Sequence, residues 1–394
     1  MKVKSLIDQV SIDDVKIITS GTEWTSFNSI SRKRALIEAQ TPNHTIKVLK
    51  IDSKRFASDP EIFTKSQLLI SAYYGFDKPC VDYDFYNIES EALGQDMIYR
   101  DGLIPEVNFL NPLLSDKKAL YKLISPVNKD KGRFGFVLGT NSLFKKITGY
   151  APRLRFCAPY SMAVNLRSYK NLMIDMEEDE TFVKDLFNFL TDEVIIPWVE
   201  LQRKELGEPS AMAGGIDGTA TFPNISAKTM EKWIIPYYQR AKHALDNVTF
   251  TTCCGGISYF KNPEDFFLYQ LSTCPGIIKG YQWDIENTGF NVFNNYAKKN
   301  NLDLRLGISA QTLLVLNEFE IVDLVKRYLE EGGAYLPKYS IYLSDIDPNT
   351  RPEVVIYAVS TVKQLSIFPI EKNIQRKFFP PEIIDFQDWI YTKI

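Results

Sequence analysis

The sequence predicts an α/β fold of the (β/α)₈ (TIM) barrel class, with an N-terminal extension and an inserted segment after the second strand. Three observations carry this. Short apolar strand candidates alternate with longer amphipathic helices along most of the 394 residues, the order that yields a parallel sheet. The strand candidates number eight. No Gly-rich phosphate-binding fingerprint follows an early strand, which sets the runner-up, a doubly wound open sheet, behind the closed barrel.

In chain order, residues 1 to 30 read as an appended helical arm and residues 31 to 394 as the barrel domain. Strands are expected at 46–51 (IKVLKI), 78–84 (KPCVDYD), 154–159 (LRFCAP), 211–217 (AMAGGID), 248–253 (VTFTTC), 277–284 (IIKGYQWD), 302–308 (LDLRLGI) and 334–343 (AYLPKYSIYL). The clearest helix is DETFVKDLFNFLTDEVIIPWVELQRKEL, where Phe182, Val183, Leu186, Phe187 and Leu190 recur on one face and Pro197 predicts a kink. Other helices open on Ser, Asn or Glu, and one closes on Gly332-Gly333, as helix ends prefer. The stretch from 95 to 150 is longer than an ordinary connection and reads as a lid or side wall. The tail FFPPEIIDFQDWIYTKI is aromatic enough to dock, and its own body is the expected site.

Composition narrows the partners. An apolar fraction of 45% and a charged fraction of 24% suit a soluble protein with a large core, and a net charge of −3 offers no field to attract a polyanion. Nucleic acid is therefore not the expected partner. Neither a membrane span nor a secretory leader fits the sequence, so a cytoplasmic location is expected. Five cysteines, Cys80, Cys157, Cys253, Cys254 and Cys274, make reduced thiols the default.

Because barrel enzymes gather their chemistry at the C-terminal ends of the strands, the candidate site is Asp82, Asp84, Tyr160, Asp217, Thr252, Cys253, Cys254, Asp284, Glu286, Ser309, Ser344 and Asp345. Asp217, flanked by Gly214, Gly215 and Gly218, is the leading catalytic acid; its bland alternative is a turn aspartate bonding local amides. If the strand runs that far, Asp284 and Glu286 share one face and form a paired carboxylate; a solvated loop is the alternative. Tyr160 is expected to bond a substrate oxygen or stack on a ring, against packing at a helix start. Asp82 and Asp84 share a face by the same alternation. With Thr252, Ser309, Ser344 and Asp345 they are expected to bind substrate.

From SRKRALIEAQTPNHTIKV onward the chain resembles the uroporphyrinogen decarboxylase superfamily. EALGQ (91 to 95) is similar to that family's turn after the second strand, and CAPYSMAVNLRSYKNLMIDMEEDETFVKDLFNFLTDEV to its Gly-Pro-Phe-Thr-Leu-Ala segment and the helices behind it. IDGTATFPNISAKTMEKWIIPYYQRAKHAL, TTCCGG, WDIENTGF and DIDPNTRPEVVIYAV follow in family order, so the resemblance covers about residues 30 to 366.

The resemblance implies the barrel and one of two chemistries. Porphyrinogen decarboxylases carry an Arg-rich N-terminal segment that pairs with substrate carboxylates, and this sequence lacks it; Arg153, Arg155 and Arg167 remain to be placed. The chain looks more like the corrinoid-dependent methyltransferases, including O-demethylases, which move a methyl group between a small methoxy, amine or thiol compound, or a folate, and the cobalt of a corrinoid-binding partner protein. Methylcobalamin on the partner is the implied cofactor. Thiol-activating members hold zinc with a His-x-Cys pair and a later Cys; the matching positions here are Thr252, Cys254 and Ser344, leaving Cys254 as the one candidate ligand. His44 and His243 are the only histidines. A barrel that has lost catalysis and serves as a binding subunit remains a third reading.

Overall fold

The computed structural model describes residues 6–22, 24, 33–79, 81–252 and 255–394. In chain order its strands are β1 (Leu36–Ala39), β2 (Met97–Ile98), β3 (Glu106–Val107), β4 (Leu154–Cys157), β5 (Ala213–Asp217), β6 (Val248–Thr252), β7 (Ile277–Gly280), β8 (Asp303–Ile308) and β9 (Tyr339–Leu343). The chain divides into two units: Met1–Asp52, Thr64–Asp82 and Gly255–Ile394 form the first, Ser53–Phe63 and Tyr83–Cys254 the second.

The second unit is built on the parallel sheet β4-β5-β6, in register Phe156↔Gly215↔Phe250. Gly215 is required there. A Cβ would come within 2.7 Å of both Phe156 and Phe250, whose rings meet edge to face at 5.7 Å while Tyr238 stacks on Phe250 at 4.0 Å. The expected apolar face of Phe182, Val183, Leu186, Phe187 and Leu190 is buried.

Two helices open at the same tripeptide. Before Pro197 the turn Leu190–Ile195 widens to i→i+5 hydrogen bonding, and before Pro236 the turn Met230–Ile234 does the same. Each runs into Ile-Ile-Pro: proline has no N–H and its ring crowds the carbonyl four residues back, so the ladder takes up an extra residue.

Among the described residues of this unit no strand pairs with the outer edge of β4. Side chains stand in: the Cys157 N–H donates to Glu89 Oε1 at 3.1 Å, and the Arg155 carbonyl accepts from Tyr83 Oη at 3.1 Å and Gln202 Nε2 at 3.3 Å. The segment from 95 to 150 holds the antiparallel pair β2-β3, a tight turn at Lys117–Lys122 and the helix Phe134–Thr148. Arg133, at the start of that helix, is 6% exposed and forks onto Asp84 at 2.7 and 2.5 Å while its Nε reaches Glu91 at 2.5 Å.

The first unit carries the parallel sheet β1-β9-β8-β7, in register Leu36↔Ser340↔Arg305↔Lys279. Leu304, Leu306 and Ile308 are buried on one face of β8, the alternation expected of a strand. The tail docks on this unit as expected: Tyr73 Oη donates to the Ile384 carbonyl at 2.7 Å, and Phe386 and Trp389 meet its ring edge-on. The N-terminal arm, helices Leu6–Gln9 and Ile12–Ser20, is tied down by buried Lys65, whose Nζ donates to the Val10 carbonyl at 2.8 Å.

Four strand expectations change. Residues 46–51 fall largely in the helix Pro42–Leu49, begun by Pro42 at its first position, with Ile46 and Leu49 buried one turn apart; the first strand lies earlier, at β1. Residues 78–79 and 81–84 form no strand, and Cys80 lies outside the described residues. The run 277–284 is strand only to Gly280, after which the helix Gln282–Thr288 begins. The run 334–343 is strand only from Tyr339, because Tyr335 takes a left-handed conformation, φ 60°.

The Arg133 fork tests how the inserted segment is held. Arg133→Met strands Asp84 and Glu91 without their cation, and breaking a buried ion pair from one side costs about 3–5 kcal/mol. Urea unfolding should show a loss of that size; a loss below about 1 kcal/mol, the range of an exposed pair, would mean the pair is not desolvated.

Candidate functional site

In the second unit the strand ends carry Asp217, Ser161 and Thr219. Asp217, the last residue of β5, is fully buried. Its Oδ1 accepts from the Ser161 N–H at 2.8 Å and Ser161 Oγ at 2.6 Å, and its Oδ2 accepts from Tyr238 Oη at 2.7 Å. The carboxylate caps the helix Pro159–Arg167, whose own N-cap, Ala158, has no side chain to do so. Burial pushes the Asp217 carboxyl above its ordinary range, and the Ser161 and Tyr238 bonds hold it part of the way down. Ser161 in turn meets Thr219 Oγ1 at 2.8 Å and the Thr219 N–H at 3.0 Å. Thr219 is half-buried, so this chain of groups runs from a sealed carboxylate to a residue that is partly exposed.

The other candidates of this unit part ways. Thr252 stands beside Asp217 in the β5-β6 register and is half-buried. Tyr160 is a core residue, fully buried, with its hydroxyl on Met173 Sδ at 3.6 Å and its ring against Phe187. Asp84 is taken by Arg133. Cys253 and Cys254 lie outside the described residues.

Arg153 stands just before β4 on Thr249, and Gly214 leaves room for Arg153 and Arg155, which would lie 2.9 and 3.3 Å from a Cβ there. Both therefore belong to the starting half of the strands. Arg167 is spent on Asp175 and the carbonyls of Leu114 and Ser115.

In the first unit Asp284 is the most constrained acid. Its Oδ1 accepts from the N–H groups of Gly256 at 2.8 Å and Ile257 at 3.1 Å, while Oδ2, buried, has no hydrogen-bond partner among the described residues. Gly255 lies directly against it: a Cβ there would fall 2.0 Å from Oδ2. Burial raises the Asp284 carboxyl, against the lowering effect of the amides.

The expected pairing with Glu286 fails, because both residues sit on the helix Gln282–Thr288. Two positions apart there is about 200° around the axis, so Asp284 points inward while Glu286 is exposed, accepting from Gln282 Nε2 at 2.7 Å. The expected shared strand face of Asp82 and Asp84 fails for want of a strand.

Ser309 caps the helix Ala310–Val315 and its N–H meets Gln282 Oε1 at 2.9 Å. The Ser344 N–H donates to the Ile308 carbonyl at 2.9 Å. Asp345, in a left-handed turn, reaches solvent while enough protein surrounds it to raise its carboxyl, with Asp347 and Asp82 adding to the effect.

His44 is sealed between Tyr74 Oη at 2.6 Å and the Asp347 carbonyl at 3.1 Å, burial pulling it down to about 4, and His243 is exposed on the helix Ile235–Ala244. Among the described residues no three His, Cys, Asp or Glu side chains gather as a metal set. The alcohols Thr252 and Ser344 are poor zinc donors beside thiolate and imidazole, so the donor set does not fit the thiol-activating zinc centre.

Glu89, in the helix Ile88–Leu93, escaped the sequence reading. It is fully buried and accepts from the Cys157 N–H through Oε1, while among the described residues neither Oε2 nor the indole N–H of Trp198 has a well-formed partner. Burial pushes its carboxyl up to about 8, with Asp84 adding slightly. Burial first, then Glu89 and Asp217, drive the Cys157 thiol well above its usual range. Its two-residue offset from Glu91 in EALGQ was the only available signal.

A profile of the family described as uroporphyrinogen decarboxylase (URO-D) matches residues 41–365. The chain belongs to that family, and its fold is the family's (β/α)₈ barrel. A methyltransferase from Methanosarcina mazei has a similar solved structure, with a TM-score of 0.67 and 16% sequence identity over 91% of this chain and 99% of that one. No curated protein matches the chain at a comparable level.

The shift of Glu89 has a definite sign. The folded protein keeps this proton up to about pH 8, whereas an unfolded Glu releases it near 4.3. The contribution to stability is therefore complete below that pH and lost as pH rises through about 8, amounting to about 5 kcal/mol in all. Denaturant unfolding between pH 4.5 and 9 should show wild type falling relative to Glu89→Gln. Parallel curves would place the titration elsewhere.

Proposed function

We propose that this chain is a methyltransferase that moves a methyl group between a small methylated compound and a corrinoid carried by a second protein. The observation that carries the reading is Asp284: a buried carboxyl, oriented by two backbone amides, whose second oxygen meets no hydrogen-bond donor among the described residues. Burial raises its pKa, the direction that suits a general acid. With a methoxy donor, the oxygen–methyl bond breaks, the methyl group leaves without its electron pair, and the departing oxygen takes the Asp284 proton. The corrinoid supplies the accepting nucleophile. Asp217 is a positioning residue within its own unit, where it orients the Ser161 hydroxyl and, through it, Thr219. The similar M. mazei methyltransferase supports the class of reaction.

The arginines weigh against the competing decarboxylation. A multiply carboxylated porphyrinogen needs guanidinium groups converging at the strand ends. Arg153 and Arg155 lie at the strand starts, and Arg167 is already engaged. Thr252 and Ser344 do not suit a zinc-dependent step.

The test is transfer from a panel of methoxy, amine and thiol compounds to cob(I)alamin, followed by the absorbance of methylcobalamin, with a porphyrinogen as the competing substrate. Asp284→Asn should lose roughly 10²- to 10⁴-fold in rate, the usual range for a general acid, with its thermal midpoint nearly unchanged. Asp217→Asn should instead lower the midpoint, costing about 1–3 kcal/mol for a disturbed buried acceptor, and reduce the rate less. Carbon dioxide release from the porphyrinogen, or full activity in Asp284→Asn, would overturn the assignment.

A further inference from the structure

The two faces of the first unit's sheet differ in kind. On β8, Leu304, Leu306 and Ile308 are buried on one face, so Asp303, Arg305 and Gly307 share the other. The parallel register sets Lys279 of β7 beside Arg305, Tyr342 of β9 beside Gly307, and Glu38 of β1 beside Tyr342. This second face therefore carries charge midway along its strands.

Arg305 is the member whose place needs explaining. Its guanidinium stays charged at any working pH and presents a planar fork of N–H donors, yet among the described residues it makes no hydrogen bond. Its contact with a carboxylate is loose: Glu38 Oε2 stands 3.7 Å from Nη1, and Glu38 is held by Lys78 at 2.9 Å. Asp303, the other acid of this face of β8, faces Lys338 at 3.6 Å. What Arg305 does meet is the ring of Tyr342, its Cζ 4.7 Å from the centroid, and Tyr342 is fixed in turn by its Oη donating to Gln40 Oε1 at 3.0 Å. A cation over a ring face gives up none of its N–H groups to an acceptor oxygen. The Arg305 side chain is 22% exposed although it springs from the middle of a strand.

The strand leaves room beside that fork. Two positions on, where the next side chain of this face would stand, β8 has Gly307, and a Cβ there would meet nothing nearer than 3.6 Å, the first side chain being Tyr281 at 3.9 Å. On the opposite face, by contrast, a Cβ at Gly280 would come within 2.7 Å of Leu306. Gly280 is required by packing; Gly307 is not.

We propose that this face binds a small carboxylate, gripped by the Arg305 fork in the space over Gly307 and flanked by the rings of Tyr342 and Tyr281. A carboxylate meets a guanidinium through two parallel N–H···O bonds, and a single fork takes a single carboxylate. Glu38 opposes any second negative charge, so a monoanion fits better than a phosphate, and the tyrosine rings favour a ligand with a flat apolar body. The proposal is independent of the methyl-transfer reading, because the ligand is recognised by its carboxylate and not by a methyl group.

The experiment is calorimetric titration at constant ionic strength with benzoate, its neutral isostere benzamide and inorganic phosphate, on wild type, Arg305→Lys, Arg305→Gln and Gly307→Val. Wild type should bind benzoate at least about tenfold more tightly than benzamide or phosphate. Arg305→Lys should lose about tenfold although it keeps the charge, since an ammonium cannot present the fork, and Arg305→Gln and Gly307→Val should lose more. Circular dichroism identifies any variant that fails to fold; Gly307→Val leaves the arginine in place and tests the space alone, so either variant decides without the other. No binding of benzoate to wild type, equal binding of benzamide, tighter binding of phosphate, or unchanged affinity in folded Arg305→Gln or Gly307→Val overturns the carboxylate site and leaves the methyl-transfer reading standing. Failure of methyl transfer to cob(I)alamin overturns that reading and leaves this site standing.

Discussion

Where a strand stops or a helix starts, backbone N–H groups lose their partners, and inside a protein each must find another acceptor. This chain meets that constraint with buried carboxyl groups. Glu89 serves the edge of β4 at Cys157, Asp217 serves the first amides of the helix Pro159–Arg167, and Asp284 serves the glycine turn at Gly256 and Ile257. The same placements put acids at or next to the strand ends, so architecture and candidate chemistry share their atoms.

The three differ in how fully they are satisfied. Asp217 has donors on both oxygens, and its charge is shared among neutral groups that do not move with pH. Glu89 has one good donor and little else to compensate its burial, which is why it keeps a proton into the alkaline range. Asp284 lies between them, with two amides on one oxygen and a glycine against the other. A carboxyl with vacant capacity is the one able to meet a ligand, whereas a saturated one can only hold its neighbours in place.

Much of the barrel was legible because strands β4 to β9 of the parallel sheets are apolar runs bounded by turn residues, and helices such as Glu180–Phe189 show a single buried face. The early region misled because IKVLKI is too short to distinguish period two from one helical turn; Pro42 decided it by opening a helix. The site was less legible for a related reason. Reading IIKGYQWD as one strand paired Asp284 with Glu286, but the chain turns helical after Gly280 and the pair separates. Asp84 looked like a site acid until Arg133, forty-nine positions later, claimed it. Such partners leave no local trace in sequence.

The widened turns before Pro197 and Pro236 are phase shifts. Each places one more residue in the helix than a regular ladder holds, advancing everything downstream by about 100° about the axis. Tyr238 reaches Asp217 only after that advance. Counting residues along this helix by a constant 3.6 per turn would therefore put the phenol on the wrong side. An evolutionary deletion of a single residue between Ser226 and Pro236 would have to be matched by a phenol or other donor moved one place along the chain, which makes the length of this short stretch as constrained as the identity of the tyrosine itself.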